Sequence, residues 1–379
     1  MSFLDRGIGF MHRIALSKNT VEASTDAELG RNRAVATWLF VCAAMIFVMI
    51  LLGGATRLTG SGLSIVEWKP LSLLPPLNEE EWLAEFESYK KYPEYLKINS
   101  WMEIDSFKDI YWLEYLHRLW GRIIGLVFAV PFFFFWVKGT IRGKLSWLLV
   151  GVFVIGGLQG ILGWFMVASG LIDNPDVSQY RLAAHLVLAF FLYGCLLWIG
   201  LRLLIKDCIE ATHPNSYTLA GCALGIAGLT LIVVVSGALV AGLNAGLIYN
   251  SFPLMEGRLI PAGLYDLTPW YLNWFENIKT VQFNHRILAI VLLLAICYLW
   301  DSVRRAGLEI QSRKLIRALL VVSVLQIFFG ILTLLSLVPL PLALIHQATA
   351  LLVFTFAVWL ACNLWPRDSQ ISRRLQKTS

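Results

Sequence analysis

Eight separate apolar runs, each long enough at about 20 residues to cross a bilayer as a helix, constrain this chain more than any other feature. They cover roughly residues 34–54, 117–137, 146–168, 182–205, 218–243, 285–303, 315–337 and 342–364. Inside hydrocarbon, every backbone polar group must be satisfied within its own segment, which leaves helices or closed barrels. Runs of this length predict helices. The expected fold class is all-α: a polytopic membrane protein with eight transmembrane helices. Pro131 and the glycines within the runs do not argue against spans, because membrane helices tolerate both. Composition agrees, since 58% of residues are hydrophobic and only 15% charged, against about 25% charged in soluble domains.

Basic residues orient the spans. Nineteen Lys and Arg fall in the N-terminal tail, the 2–3, 4–5 and 6–7 connections and the C-terminal tail, against nine in the opposite connections. Cytoplasmic loops carry the basic excess, so both termini are expected in the cytoplasm. The net charge of +6 is read as that excess, and no nucleic-acid partner is expected. Residues 1–33 hold five basic and four acidic groups without an apolar core, the pattern of a cytoplasmic tail rather than of a cleavable signal. Six cysteines (Cys42, Cys195, Cys208, Cys222, Cys297 and Cys362) show no metal-type spacing and read as small apolar residues.

The chain repeats itself weakly. "GGATRLTGSGL" (53–63) answers "SGALVAGLNAGL" (236–247), "EYLHR" (114–118) answers "QFNHR" (282–286), "QGILG" (159–163) answers "QIFFG" (326–330), and "AAHLVLAF" (183–190) answers "LIHQATAL" (344–351). Each half has four spans, so the halves share one orientation and are expected to be related by an axis along the membrane normal. The expected plan is two similar four-helix bundles in tandem, 34–205 and 218–364, with a cytoplasmic linker at 206–217 and a cytoplasmic tail at 365–379. The first bundle carries a large outer loop, 55–113, with ten acids against six bases. Its length and its aromatics suggest short helices lying at the interface.

His12 and His213 fall in cytoplasmic segments. The other four histidines, His117, His185, His285 and His346, stand near the starts of spans 2, 4, 6 and 8. Those helices all run inward, so the four lie at similar depth near the outer leaflet. Ionisable residues within a membrane are costly and mark function; the plainer alternative is hydrogen bonding between helices. Four imidazoles suit zinc or copper, yet they belong to two separate halves. Two pairs facing across a gap suit the axial ligation of two haems in bundle cores, and Gly121 and Gly125, on the face of His117, leave room for a flat ligand.

Glu114 lies one turn outside His117, whereas Gln282 holds the matching place in the second half. A bis-histidine electron carrier needs no carboxylate, but a site that moves protons does. A first-turn acid favoured by the helix dipole is the alternative. Arg57, Arg118, Arg122 and Arg286 also stand at outer ends, where they pair with haem propionates or snorkel to the interface. Arg57, in its glycine-rich turn, is the best placed for a propionate.

The series "GGATRLTGSGLSIVEWKP", "EYLHRLWGRIIG", "QGILGW", "AAHLVLAF" and "NHR" resembles the haem A synthase family, over about residues 34–364. The resemblance implies oxidation of a methyl group of haem O to a formyl group by two hydroxylations, with water as oxygen source, to make haem A for cytochrome oxidase. It implies a permanent haem b on His285 and His346, substrate haem O on His117 and His185, and a functional glutamate at Glu114. A bacterial inner (cell) membrane, a haem O synthase upstream, an electron acceptor and self-association are the expected setting. The chain matches the branch without outer-loop cysteine pairs. Two other functions fit four histidines: a dihaem membrane cytochrome without enzymatic activity, and a haem carrier.

Overall fold

The computed structural model describes residues 3–67, 74–172, 175, 177–205 and 215–365, with side chains from residue 28 onward. Trp68, Cys208, most of the linker expected at 206–217 and the tail beyond Trp365 lie outside the described residues, as do the side chains of His12 and His213.

The described residues are almost entirely helical, and eight helices are long and apolar enough to cross a membrane. They are α1 (Phe3–Leu58), α3 (Ile104–Val137), α4 (Lys144–Gly170), α5 (Gln179–Leu204), α6 (Ser216–Gly242), α8 (Ile278–Arg305), α9 (Ile310–Leu335) and α10 (Leu340–Leu364). Two short helices, α2 (Glu79–Tyr89) and α7 (Ala245–Ile248), lie in the connections.

Three helices run well past their apolar stretches. The backbone of α1 is already helical from Phe3. α3 begins at Ile104, because its first turns bury Phe107 and Tyr111 beneath the 74–103 segment. α8 begins at Ile278, where the Asn277 side chain accepts hydrogen bonds from the amides of Lys279 (3.1 Å) and Thr280 (3.3 Å). A cap of this kind satisfies amides that have no partner within the helix. Pro131 is accommodated inside α3 without ending it.

α1, α5, α6 and α10 form the centre. Half of the apolar window of α5 is buried, against 11% for α3 and α4, so the peripheral helices give most of their apolar surface to lipid. The central helices meet closely. A Cβ on Gly200 would lie 2.8 Å from Phe40, and one on Gly194 would lie 2.9 Å from Phe354. Tyr193 and Thr355 share a 2.7 Å hydroxyl contact. Gln347 of α10 donates to the Ile50 carbonyl of α1 at 3.1 Å. On the periphery, α3 is fastened to α1 by indole donors, Trp38 to the Val127 carbonyl (2.8 Å) and Trp120 to that of Met45 (2.9 Å).

The outer loop contains the expected short helices. Asn78 caps α2 by accepting from the Glu81 amide at 2.9 Å, and Glu81 accepts from the Leu77 amide at 2.7 Å. This reciprocal pattern fixes where a helix starts. Trp82, Phe86 and Tyr89 of α2 then pack on Phe107 and Tyr111 of α3. The loop is thus a small aromatic-cored cap above the first half.

Candidate functional site

Each of the four histidines rests against a glycine of the membrane-spanning helix before it. A Cβ on Gly53 of α1 would meet His117 at 3.5 Å, and one on Gly163 of α4 would meet His185 at 3.1 Å. Gly237 of α6 faces His285 at 3.1 Å, and Gly330 of α9 faces His346 at 2.7 Å. Four glycines therefore admit four imidazoles to the spaces between neighbouring helices. By half, they group as His117 of α3 with His185 of α5, and His285 of α8 with His346 of α10. Among the described residues no three His, Cys, Asp or Glu come together as a metal cluster. Gly125 has open space beside it, while Gly121 lies against Met49.

The pairs differ in what holds their rings. In the second half, His285 Nδ1 is 2.8 Å from Ser236 Oγ, and His346 Nδ1 is 3.1 Å from the Gln326 carbonyl. In the first half, His185 Nδ1 is buried without a partner. The equivalent glutamine, Gln159, donates instead to the His185 carbonyl at 3.0 Å.

Glu114 is 2% exposed. Its Oε1 accepts from Arg118 Nε (2.9 Å) and Nη2 (2.6 Å), and its Oε2 accepts from Ser64 Oγ (2.7 Å) and the Ile65 amide (2.8 Å). Arg118 also donates to the Ile65 carbonyl at 2.8 Å. The pair thereby pins the chain that follows α1. Gln282 and Arg286 do the same for the chain that follows α6: Gln282 donates to the Tyr249 carbonyl at 2.7 Å and accepts from Arg286 at 3.3 Å. The local job is common to both halves, and only the first half performs it with a buried negative charge.

Arginines gather at this end. Arg57 Nη2 donates to the Ala241 carbonyl (3.2 Å) and to Asn244 Oδ1 (3.3 Å) at the end of α6, which ties the ends of α1 and α6 together. Arg57 Nε, Arg181 Nε, and Nε and Nη1 of Arg286 are buried without partners. Unpaired buried guanidinium N–H groups are costly and suit an incoming carboxylate. Of the expected arginines, Arg118 is committed to Glu114. Arg181, Ser236, Gln326 and the four ring-facing glycines went unnoticed in the sequence. Alignment of the repeats was the available signal for the glycines and for Gln326; Ser236 opens the repeat motif at 236–247, but its role there was not read, and nothing marked Arg181.

Comparison with known proteins shows the family to which the chain belongs. The family model for cytochrome oxidase assembly proteins, COX15-CtaA, matches residues 36–358. The haem A synthase of Nitrosospira multiformis is 46% identical over 342 residues, covering 90% of this chain and 96% of that one. That of Rhodospirillum centenum is 48% identical over 338 residues, with 89% and 90% covered. The chain belongs to the haem A synthase family. The matched region takes in all four histidines, Glu114 and Arg57. A haem A synthase implies haem, and these residues fit one. Each half offers two imidazoles from different helices, glycines leave the rings room, and carboxylate-seeking N–H groups stand unpaired at the same end.

Proposed function

We propose that this chain is a haem A synthase of a bacterial inner membrane, with both termini in the cytoplasm and bundles at 34–205 and 218–364. It oxidises one methyl group of haem O to a formyl group. Each of two hydroxylations adds an oxygen from water and releases two electrons and two protons; the resulting hydrated aldehyde loses water. The electrons leave to an acceptor, and a haem O synthase supplies the substrate. The lipid-facing peripheral helices permit a homo-oligomer.

His117 and His185 are assigned to the iron of haem O, and His285 and His346 to that of a resident haem b. Haem b supplies one-electron relay chemistry when bound. The difference in ring support favours this division, because a partner on Nδ1 fixes the tautomer and orientation of a ligating imidazole. Arg57 is assigned to a propionate of the substrate through its unpaired Nε.

Glu114 is the proposed catalytic carboxylate. Four donors fill its oxygens, two of them from the Arg118 guanidinium with which it forms an ion pair. That charge, fixed in a low-dielectric site, stabilises positive charge developing at the methyl carbon without reorganising. Activation of water by Glu114 as a base requires Ser64 or another donor to give way first. The observation that carries the reading is the asymmetry itself: two histidine pairs, each with its rings against glycines, one with a buried carboxylate a turn away and the other with a neutral amide.

One finding favours a dihaem cytochrome instead. Gln282 pins its loop as Glu114 does, so the carboxylate has a structural use. Chromatography with mass detection of haems extracted from haem O-producing cells, with and without this protein, decides between them. New haem A or its hydroxymethyl precursor supports the synthase. Bound haem b with haem O untouched overturns it, and haem O held unchanged points to a carrier.

A further inference from the structure

We propose that Ser236 is a positioning residue that locks the ring of His285 with Nε2 free for iron, and that its absence from the first half is one reason the first site can exchange its haem. This rests on the assignment of haem b to His285 and His346.

The hydroxyl of Ser236 donates to the Val233 carbonyl at 2.8 Å. Its proton is therefore committed, and its oxygen, 2.8 Å from His285 Nδ1, faces the ring as an acceptor. An acceptor there requires the proton on Nδ1 and leaves Nε2 with its lone pair. On the other ligand, the Gln326 carbonyl can only accept, which sets the same tautomer on His346 at 3.1 Å. His285 is thus prepared as an Nε2 ligand, whereas His346 Nε2 lies 3.4 Å from the Gln326 amide nitrogen, which must turn aside before His346 can ligate; each ring is pressed against a glycine.

The first half lacks this device. With Gly53 matched to Gly237, the residue matched to Ser236 is Leu52, which has no hydrogen-bonding group. The ring on that side, facing Gly53, is His117; separately, His185, the counterpart of His346, has its Nδ1 buried and unpartnered, although Gln159 and Gly163 repeat the Gln326 and Gly330 pattern. An imidazole with no partner on Nδ1 takes either tautomer, so its ligation is weaker and faster to reverse. A substrate that must leave as product needs that lability; a resident cofactor does not.

Partners of this kind affect metal affinity roughly 10–100-fold. The test uses the full chain purified with its haem. Ser236→Ala is expected to release haem b to an apoprotein acceptor roughly 10–100-fold faster than the parent. It is also expected to raise the midpoint potential, because a less basic imidazole stabilises ferric iron less. Ser236→Thr, which keeps the hydroxyl, is expected to restore both. Ser236→Ala with the parent's release rate and potential overturns the proposal. If Ser236→Ala does not fold, Leu52→Ser is the second variant: slower release of haem O from the first site supports the proposal, and an unchanged rate overturns it. His285→Ala separates the two levels. Haem b retained in that variant overturns the underlying assignment, whereas haem b lost there but held normally in Ser236→Ala overturns only the role of Ser236.

Discussion

The guanidinium of Arg118 lies 2.6 Å from the carboxylate of Glu114, one helical turn away, and both are largely buried. In the second half Arg286 stands in the same relation to Gln282 at 3.3 Å. The two clamps hold equivalent loops, and they differ by one charge. That difference lets the charge be removed while most of the clamp is retained.

Glu114→Gln keeps an acceptor for Arg118 but turns an amide donor toward Ser64 or the Ile65 amide. Haem A output is expected to fall by about 100-fold or more, as for loss of a fixed charge or acid–base group at a reacting centre, with haem O still bound. Quantifying haem A and haem O per protein checks this, and normal output sinks the role of Glu114. Glu114→Ala is expected to do more, because it removes the carboxylate ion-paired with the mostly buried Arg118, whose other acceptors include the neutral carbonyls of Ile65 and Glu67. The loss is on the order of 3 kcal/mol, seen as faster proteolysis of the outer cap.

The glycines facing the histidines are expected to differ in tolerance. At Gly330 a Cβ would stand 2.7 Å from His346, closer than real contacts allow, whereas at Gly53 the nearest ring atom of His117 is 3.5 Å away. Gly330→Ala should therefore displace His346 and deplete haem b, and Gly53→Ala should leave the first site able to bind haem O. Haem content per purified protein distinguishes the two; equal retention in both contradicts the packing described.

Glu94 gives the outer cap a pH dependence. It is 7% exposed, and its Oε2 accepts from Tyr89 at 3.1 Å. Burial is the main cause that pushes its carboxyl up to about 7; the Tyr89 hydrogen bond opposes the rise and the Glu114 charge adds to it. A raised value in the folded state means that the folded cap holds its proton more tightly than the unfolded chain. Its contribution is full below the ordinary carboxylate range near 4.5 and is lost as pH rises through about 7. A shift of this size corresponds to about 3 kcal/mol. Limited proteolysis of the cap should accelerate across that window in the parent and show a flatter profile in Glu94→Gln. Parallel profiles would rule out Glu94 as the titrating group.

Gly242, at the end of α6, lies directly against the backbone of Gln179 at the start of α5. A Cβ there would lie 2.5 Å from Gln179 Cβ and 2.7 Å from its Cα. Backbone cannot swing aside as a flexible side chain does. Gly242→Ala should force α5 and α6 apart and lower the thermal midpoint by several degrees, on the scale of overpacking losses of about 1–3 kcal/mol. An unchanged midpoint would mean that this junction yields easily.

Much was legible from sequence because it is local. A run of apolar residues long enough for the bilayer becomes a helix wherever it stands, since hydrocarbon leaves the backbone no other partner. All eight spans lie where those runs lie. The lengths of α1, α3 and α8 were not legible. Their extra turns are stabilised by contacts outside the apolar run, such as the cap aromatics on Phe107 and Tyr111 or the Asn277 cap.

The sequence by itself determined the eight spans, the internal repeat, and the placing of His117, His185, His285 and His346 at helix starts. It also marked Glu114 as the acid whose counterpart is Gln282. Only the tertiary structure decided what these groups touch. Gly237 and His285, or Ser236 and His285, are neighbours because α6 and α8 pack at one register, and no local preference encodes that register. The same holds for Glu114. Its four donors come from its own helix and from a loop some fifty residues away, and they meet only once α1 and α3 have packed and the chain after α1 has folded back on them.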